Sequence, residues 1–80
     1  MITESKEEFK ERIKRIASRI IDDHEYIRLG QAVFNLIDEM YGVARITQFK
    51  YGIDCFYNDN MIDNFIDKCY EIIKTEKNND

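Results

Sequence analysis

The chain has 80 residues, with 12 basic and 16 acidic side chains and a formal net charge of −4. No apolar run approaches the roughly 18 residues that a membrane-spanning helix needs, and no secretory signal opens the chain. Two cysteines cannot form a disulfide scaffold, and a chain of this size buries too little surface to favour a large enclosed enzyme pocket. Composition therefore predicts one small cytoplasmic domain over residues 1–80, without a membrane partner.

The first predicted helix covers residues 6–21. Ser5 and Glu8 match the S-x-x-E capping box, in which the two residues satisfy free backbone donors reciprocally. Apolar residues at helical spacing form one narrow seam, namely Phe9, Ile13, Ile16 and Ile20. Basic residues flank the seam on both sides, with Lys6, Lys10 and Lys14 on one and Arg12, Arg15 and Arg19 on the other.

The second predicted helix covers residues 24–41, with Asp22 or Asp23 as its N-cap and Gly42 as its left-handed C-terminal residue. Its apolar residues span about half of the helix circumference. We therefore expect this helix to be central, or to line a subunit interface. Gly30 lies inside it at a cost of about 1 kcal/mol relative to alanine, for which close approach of another backbone is the usual reason.

A continuous polar stripe runs along the same helix. Its members are His24, Arg28, Gln31, Asn35 and Asp38. One interpretation is the exposed face of an amphipathic helix. The other is a recognition stripe, or a network that binds the connector to the helix, because Gln and Asn are weaker choices than Glu and Lys on an exposed helix surface.

The connector at residues 43–58 is predicted to contain a short extra helical turn that Gly52 ends. A tight turn follows, in which the Asp54 side chain bonds to the backbone. Cys55 and Cys69 match no metal motif, and we expect both to be buried free thiols.

The third predicted helix covers residues 60–76, where Asn60 and Asp63 imitate a capping box. Residues 77–80 are polar and predicted to fray. The chain shows no alternating strand pattern. The sequence thus predicts an all-α, three-helix domain with a short extra turn in the connector.

From Tyr51 to Asp67 the chain contains no Lys or Arg. Three aspartates in this window repeat at four-residue spacing and repel one another by a few tenths of a kcal/mol per pair. Aromatic residues also cluster in the connector, namely Phe49, Tyr51, Phe56 and Tyr57. The candidate partner-binding residues are Asp54, Phe56, Tyr57, Asp59, Asp63 and Asp67. These residues predict a surface that binds a basic partner. The alternative is an acidic face that contacts only solvent.

No residue pattern indicates catalysis, a cofactor or a metal site. His24 has no Cys or Ser at useful spacing, and no glycine-rich phosphate loop is present. Asp59 and Asp63 lack the glycine and the terminal glutamate of an EF-hand. The ridge of Arg12, Arg15 and Arg19 could contact phosphates, but the acidic balance of the chain disfavours direct nucleic-acid binding.

The segment RLGQAVFN at residues 28–35, followed by DCFY at 54–57, resembles a group of short uncharacterised helical proteins of phages and bacterial mobile elements. Those proteins show R-L-G-Q-A-x-F-N early and D-P-F-Y later, and Cys55 stands where they favour proline. The likeness covers roughly Tyr26 to Phe65. It implies a small accessory protein.

We therefore expect a non-enzymatic phage-type accessory protein that acts by protein–protein binding. It would dock its acidic and aromatic surface on a basic host or defence protein in the host cytoplasm, an anti-CRISPR-like inhibitor being the concrete form. One alternative is a self-associating structural or regulatory module that uses the wide apolar face of the second helix, giving a homo-oligomer. Another is a small dimeric DNA-associated regulator.

Overall fold

The computed structural model describes residues 2–24 and 26–76, and this part of the chain is helical without strands. The elements in chain order are α1 (Lys6–Asp23), α2 (Leu29–Tyr41), α3 (Ala44–Tyr51), a 3-10 turn (Asp59–Met61) and α4 (Ile62–Glu76). The all-α class is confirmed. The predicted extra turn is a helix of two turns, so the described residues form four helices rather than three. The expected fraying of residues 77–80 lies outside the described residues.

Helix α1 begins with the predicted capping box. The Glu8 amide donates to Ser5 Oγ at 3.2 Å, and the Ser5 amide donates to Glu8 Oε1 at 2.9 Å. The latter bond stabilises the carboxylate and lowers the pKa of Glu8. The helix continues two residues beyond its predicted end, to Asp23. No helix among the described residues is long and apolar enough to cross a membrane.

Helix α2 begins at Leu29, five residues later than predicted. Its N-cap is Arg28, whose extended backbone (ψ 159°) carries no side-chain cap. The predicted cap at Asp22 or Asp23 is therefore wrong, because both residues belong to the last turn of α1. The C-terminal end is as predicted, with Gly42 in the left-handed region at φ 70°.

The central position predicted for the second helix is confirmed. Helix α2 contacts α1, α3, α4 and the 3-10 turn. Its buried residues are Gly30, Ala32, Val33, Phe34 and Ile37. Met40 lies at the edge of this face with 47% of its surface exposed. The wide apolar face is thus covered within the chain, and self-association would have to use another surface.

The connector follows its predicted turn chemistry. Gly52 ends α3 with φ 70°, and the Phe56 amide donates to Asp54 Oδ1 at 2.9 Å. The predicted capping box of Asn60 and Asp63 is wrong, because residues 59–61 form a 3-10 turn in which Asn58 Oδ1 accepts from the Asn60 amide at 3.0 Å. Helix α4 accordingly begins at Ile62 rather than residue 60.

Both cysteines are buried free thiols, as predicted. Cys55 Sγ donates to the Gly30 carbonyl at 3.3 Å, and Cys69 Sγ lies 3.3 Å from Thr47 Oγ1. Burial raises the pKa of each thiol to about 12. The thiols therefore stay protonated at neutral pH and belong to the core.

Candidate binding surface

The acidic residues of α4 face the lysines of α1. We call these residues, Asp63, Asp67 and Glu71, the acidic stripe. Three ion pairs join the helices, namely Lys6 with Glu71 (3.5 Å), Lys10 with Asp67 (2.9 Å) and Lys14 with Asp63. Residue numbers rise along α1 while they fall along α4, so the two helices run antiparallel. Because both sets repeat at four-residue spacing, charges that would repel along one helix meet opposite charges on the other.

These ion pairs shift pKa values in the direction that favours the charged forms. The contact with Asp67 raises the pKa of Lys10, and the contact with Lys14 lowers the pKa of Asp63. Asp67 Oδ1 is buried and forms no aligned hydrogen bond among the described residues, so the Lys10 ammonium is what compensates its charge. A basic partner would have to compete with these lysines.

Asp59 has a different role, which is to cap α2. Its Oδ1 accepts from the Gly30 amide at 3.0 Å, in the first turn of a helix whose own N-cap, Arg28, supplies no side-chain acceptor. A carboxylate at a helix N-terminus is favourable both as an acceptor and against the helix dipole. The carboxylate that the sequence assigns to partner binding thus stabilises the fold.

Gly30 confirms the expected close approach of another backbone. A Cβ atom at this position would lie 2.0 Å from the Cys55 carbonyl oxygen and 2.6 Å from Asp59 Oδ1. Both distances are far shorter than any ordinary contact of a Cβ atom. Only glycine therefore lets the segment at residues 55–59 lie against α2.

Asp54 joins the connector to α3. Its Oδ1 accepts from Gln48 Nε2 at 3.0 Å as well as from the Phe56 amide. These bonds hold the aromatic pair Phe56 and Tyr57 beside α3. All four aspartates of the predicted surface are accordingly in contact with donors of their own chain.

The aromatic part of the predicted surface lines an open groove of about 260 Å³, here called the aromatic groove. It is formed by Phe34, Arg45, Gln48, Phe49, Phe56 and Tyr57. Phe49 is 80% exposed and Tyr57 is 72% exposed. Large aromatic side chains left in water at this level are typical of contact surfaces.

A series of ring contacts ties this groove to the core. The fully buried Phe65 lies 5.5 Å from the Phe34 ring, Phe34 meets Phe56 edge-on at 5.4 Å, and Phe56 meets Tyr57 at 4.8 Å, measured between ring centroids. Each contact falls in the range of favourable aromatic pairs. The floor of the groove is thus held in place before anything binds.

Arg45 is the charged residue that lines the aromatic groove. Arg45 has 77% of its side chain exposed, and its Nε lies 3.8 Å from Asp38 Oδ2, beyond hydrogen-bond distance. Helix α3 also contains Lys50 and has no acidic residue. The groove therefore offers a positive charge beside an apolar floor.

The predicted polar stripe of α2 borders this groove. Gln31 and Asp38 lie three and four residues from Phe34, hence on the same side of the helix. Across residues 2–24 and 26–76, the side chains of Arg28, Gln31 and Asn35 form no hydrogen bond or ion pair. His24 is exposed at the end of α1, outside α2. Arg28 and Asn35 face solvent, while Asp38 contacts the connector through its ion pair with Arg45.

A larger cavity of about 430 Å³ lies near the N-terminal segment, but its charged groups pair with each other. Arg12 donates from Nε to Glu4 Oε1 at 3.0 Å and from Nη2 to the Tyr41 hydroxyl. These bonds, first the one to Glu4, raise the pKa of Arg12. Of the arginine ridge, Arg15 and Arg19 are exposed while Arg12 is engaged in this network.

Sequence reasoning grouped the connector aromatics but missed Arg45 and Gln48 as members of the same site. The signal in the sequence that could have found them is helical spacing. In α3, Ala44 and Thr47 lie three residues apart and are buried, which leaves positions 45 and 49 exposed. Within the described ranges, no group of three or more His, Cys, Asp or Glu could hold a metal ion. No protein family, curated protein or solved structure matches the chain in comparisons of sequence and fold.

Proposed function

We propose that this chain is a small non-enzymatic protein-binding module and that the aromatic groove is its docking surface. The carrying observation is the exposure of Phe49 (80%) and Tyr57 (72%) beside a fixed aromatic floor. Both side chains stand on ordered elements, α3 and the turn held by Asp54, so the backbone that carries them loses little conformational entropy when a partner covers them. Aromatic anchors in such positions carry much of the energy of protein interfaces.

The aromatic half of the predicted surface supports binding better than its acidic half. Asp63 and Asp67 are paired with lysines of α1, and Asp59 caps α2. A partner that used these carboxylates would break contacts of the fold. Docking therefore centres on Phe56 and Tyr57, with Phe49 added, while the phage accessory role and its anti-CRISPR-like form stay predictions of the sequence.

The test compares capture of proteins from a bacterial lysate by the immobilised wild-type chain and by the double variant Phe49→Ala, Tyr57→Ala. Both side chains are largely exposed, so the variant should stay folded, with a thermal midpoint lowered only by the lost ring contact of Tyr57 with Phe56. We expect proteins held by the wild type to be lost from the double variant. The matched control is Tyr26→Ala, which removes an aromatic side chain that is 88% exposed outside the groove. Equal capture by the double variant and the wild type would refute the proposal.

A further inference from the structure

We infer that the aromatic groove binds an acidic peptide segment, whose apolar side chain enters the groove while a neighbouring carboxylate meets Arg45. This inference rests on the proposed function and specifies its partner. It reverses the charge expected from the sequence, which pointed to a basic partner for an acidic surface.

The fold leaves Arg45 available to bind an external anion. The cations of α1 that face α4 are paired at short distances with its carboxylates, and Arg12 is bound by Glu4. Arg45 is different, since it is 77% exposed and only loosely associated with Asp38 at 3.8 Å. A guanidinium has five N–H donors in a planar fork that matches a carboxylate. A carboxylate from outside can therefore bind Arg45 by displacing only its loose contact with Asp38.

The aromatic groove has the size and lining of a site for one or two side chains. Its volume of about 260 Å³ lies below the usual 300–1,000 Å³ of small-molecule pockets, and it is open to solvent. Four of its lining residues are aromatic, namely Phe34, Phe49, Phe56 and Tyr57. Such a shape accommodates one or two apolar side chains of a peptide rather than an enclosed cofactor.

Helix α2 carries two side-chain amides, those of Gln31 and Asn35, near the aromatic groove. Gln31 lies on the same side of α2 as the groove residue Phe34, and Asn35 follows it on that helix. Among the described residues neither side chain has a hydrogen-bond partner. Each amide carries a donor pair and an acceptor, which suits the backbone of an extended peptide. These residues are the part of the polar stripe that the fold itself does not use.

The same features favour a peptide over a nucleic acid. Helix α3 supplies only Arg45 and Lys50, and the carboxylates of Asp38 and Asp54 lie at the groove. Single-stranded nucleic acids are bound by positively charged grooves that follow several phosphates. A chain with a net charge of −4 and two basic residues beside its aromatic surface does not supply such a track.

The experiment selects binders to the wild-type chain from a random-peptide display library and retests each clone on Phe49→Ala. Clones that bind the wild-type chain but not the Phe49→Ala variant bind the groove. We expect the peptides of these clones to carry an aliphatic or aromatic residue flanked by Asp or Glu. Groove-dependent clones with neutral or basic flanks would overturn the inference and leave the proposed function intact. A selection without any groove-dependent clone would overturn both.

Charge reversal then tests the assigned contact. For acidic groove-binding peptides, Arg45→Glu should weaken affinity about tenfold or more, while Arg19→Glu, a reversal at an exposed arginine of α1, should leave it unchanged. An equal loss in both variants would refute a role specific to Arg45. Tighter Phe49-dependent binding of a single-stranded oligonucleotide, or Phe49-dependent dimerisation in light scattering, would assign the groove to another occupant and overturn the inference.

Discussion

Replacing Gly30 by alanine should destabilise the protein, although the same change in an ordinary helix stabilises it by about 1 kcal/mol. The new Cβ would lie 2.0 Å from the Cys55 carbonyl oxygen and 2.6 Å from Asp59 Oδ1. Because the first of these is a backbone atom, the whole segment at residues 55–59 has to move. That movement breaks the Gly30–Asp59 hydrogen bond and the bond from Cys55 Sγ to the Gly30 carbonyl.

The magnitude follows from these losses. Overpacking a tight contact costs about 1–3 kcal/mol, and loss of a helix cap costs about 1 kcal/mol. The gain in helix propensity offsets about 1 kcal/mol. We therefore expect Gly30→Ala to lower the free energy of unfolding by about 1–3 kcal/mol, which is a large part of the stability of a small domain.

Urea denaturation followed by far-ultraviolet circular dichroism measures this change directly. The control is Ser18→Ala at an exposed position of α1, which should be neutral or slightly stabilising. Asp59→Ala alone should lower the free energy of unfolding by about 1 kcal/mol. In the Gly30→Ala background the same substitution should lower it by less, because the hydrogen bond from the Gly30 amide to Asp59 is already lost. A Gly30→Ala protein as stable as the wild type would refute the assigned backbone contact.

The remaining predictions concern charges and thiols. Lys10→Ala should lower the free energy of unfolding, measured in urea titrations, by about 1 kcal/mol, because it leaves the charge of the buried Asp67 oxygen uncompensated. An unchanged free energy would contradict the stabilising role of the Lys10–Asp67 ion pair. The lowered pKa of Asp63 contributes stability that is present above its unfolded pKa of 3.8 and is lost as pH falls through the lower folded value. Asp63→Asn should therefore cost up to about 0.5 kcal/mol at pH 7 and progressively less as the pH falls below 3.8, and a loss that does not decrease at low pH would argue against the Lys14 contact. Both cysteines should resist a thiol reagent at pH 8 until urea unfolds the chain, since burial raises each pKa to about 12, and rapid labelling of the native protein would contradict that burial.

Local signals in the sequence predicted local structure well. The capping box of Ser5 and Glu8, the left-handed Gly42 and the Asp54 turn each depend on residues within a few positions of one another. The predicted start of α2 and the predicted end of α1 were wrong for the same reason. Asp22 and Asp23 are acceptable both in a last helical turn and as caps, and local chemistry does not separate these two uses.

The role of the acidic residues could not be read from their own helix. Their spacing indicated repulsion, which a partner would relieve, but the partner is α1 of the same chain. The matching spacing of Lys10 and Lys14 with Asp67 and Asp63 was visible, yet using it required knowing that α1 and α4 run antiparallel. The aromatic groove likewise combines residues from α2, α3 and the connector, so only the tertiary fold brings them together.

The residues that carry the resemblance have a physical explanation in this fold. Gly30 contacts Cys55 and Phe34 contacts Phe56, so the two sequence segments are packed against each other. Gly30, Phe34 and Phe56 of the pattern therefore hold α2 to the connector. Its exposed member Tyr57 lines the aromatic groove, and the half-buried Gln31 lies on the side of α2 that borders it.

The most direct test of the account measures the affinity of peptides selected on the wild-type chain for two variants, together with the unfolding midpoint of each. The groove variant, Phe49→Ala with Tyr57→Ala, should lose binding with only a small decrease in its midpoint from the lost contact of Tyr57 with Phe56. The variant Asp63→Lys should show a lower midpoint and keep its affinity, because that carboxylate serves the fold. Loss of binding in Asp63→Lys together with full binding in the groove variant would contradict the account and return the function to the acidic stripe.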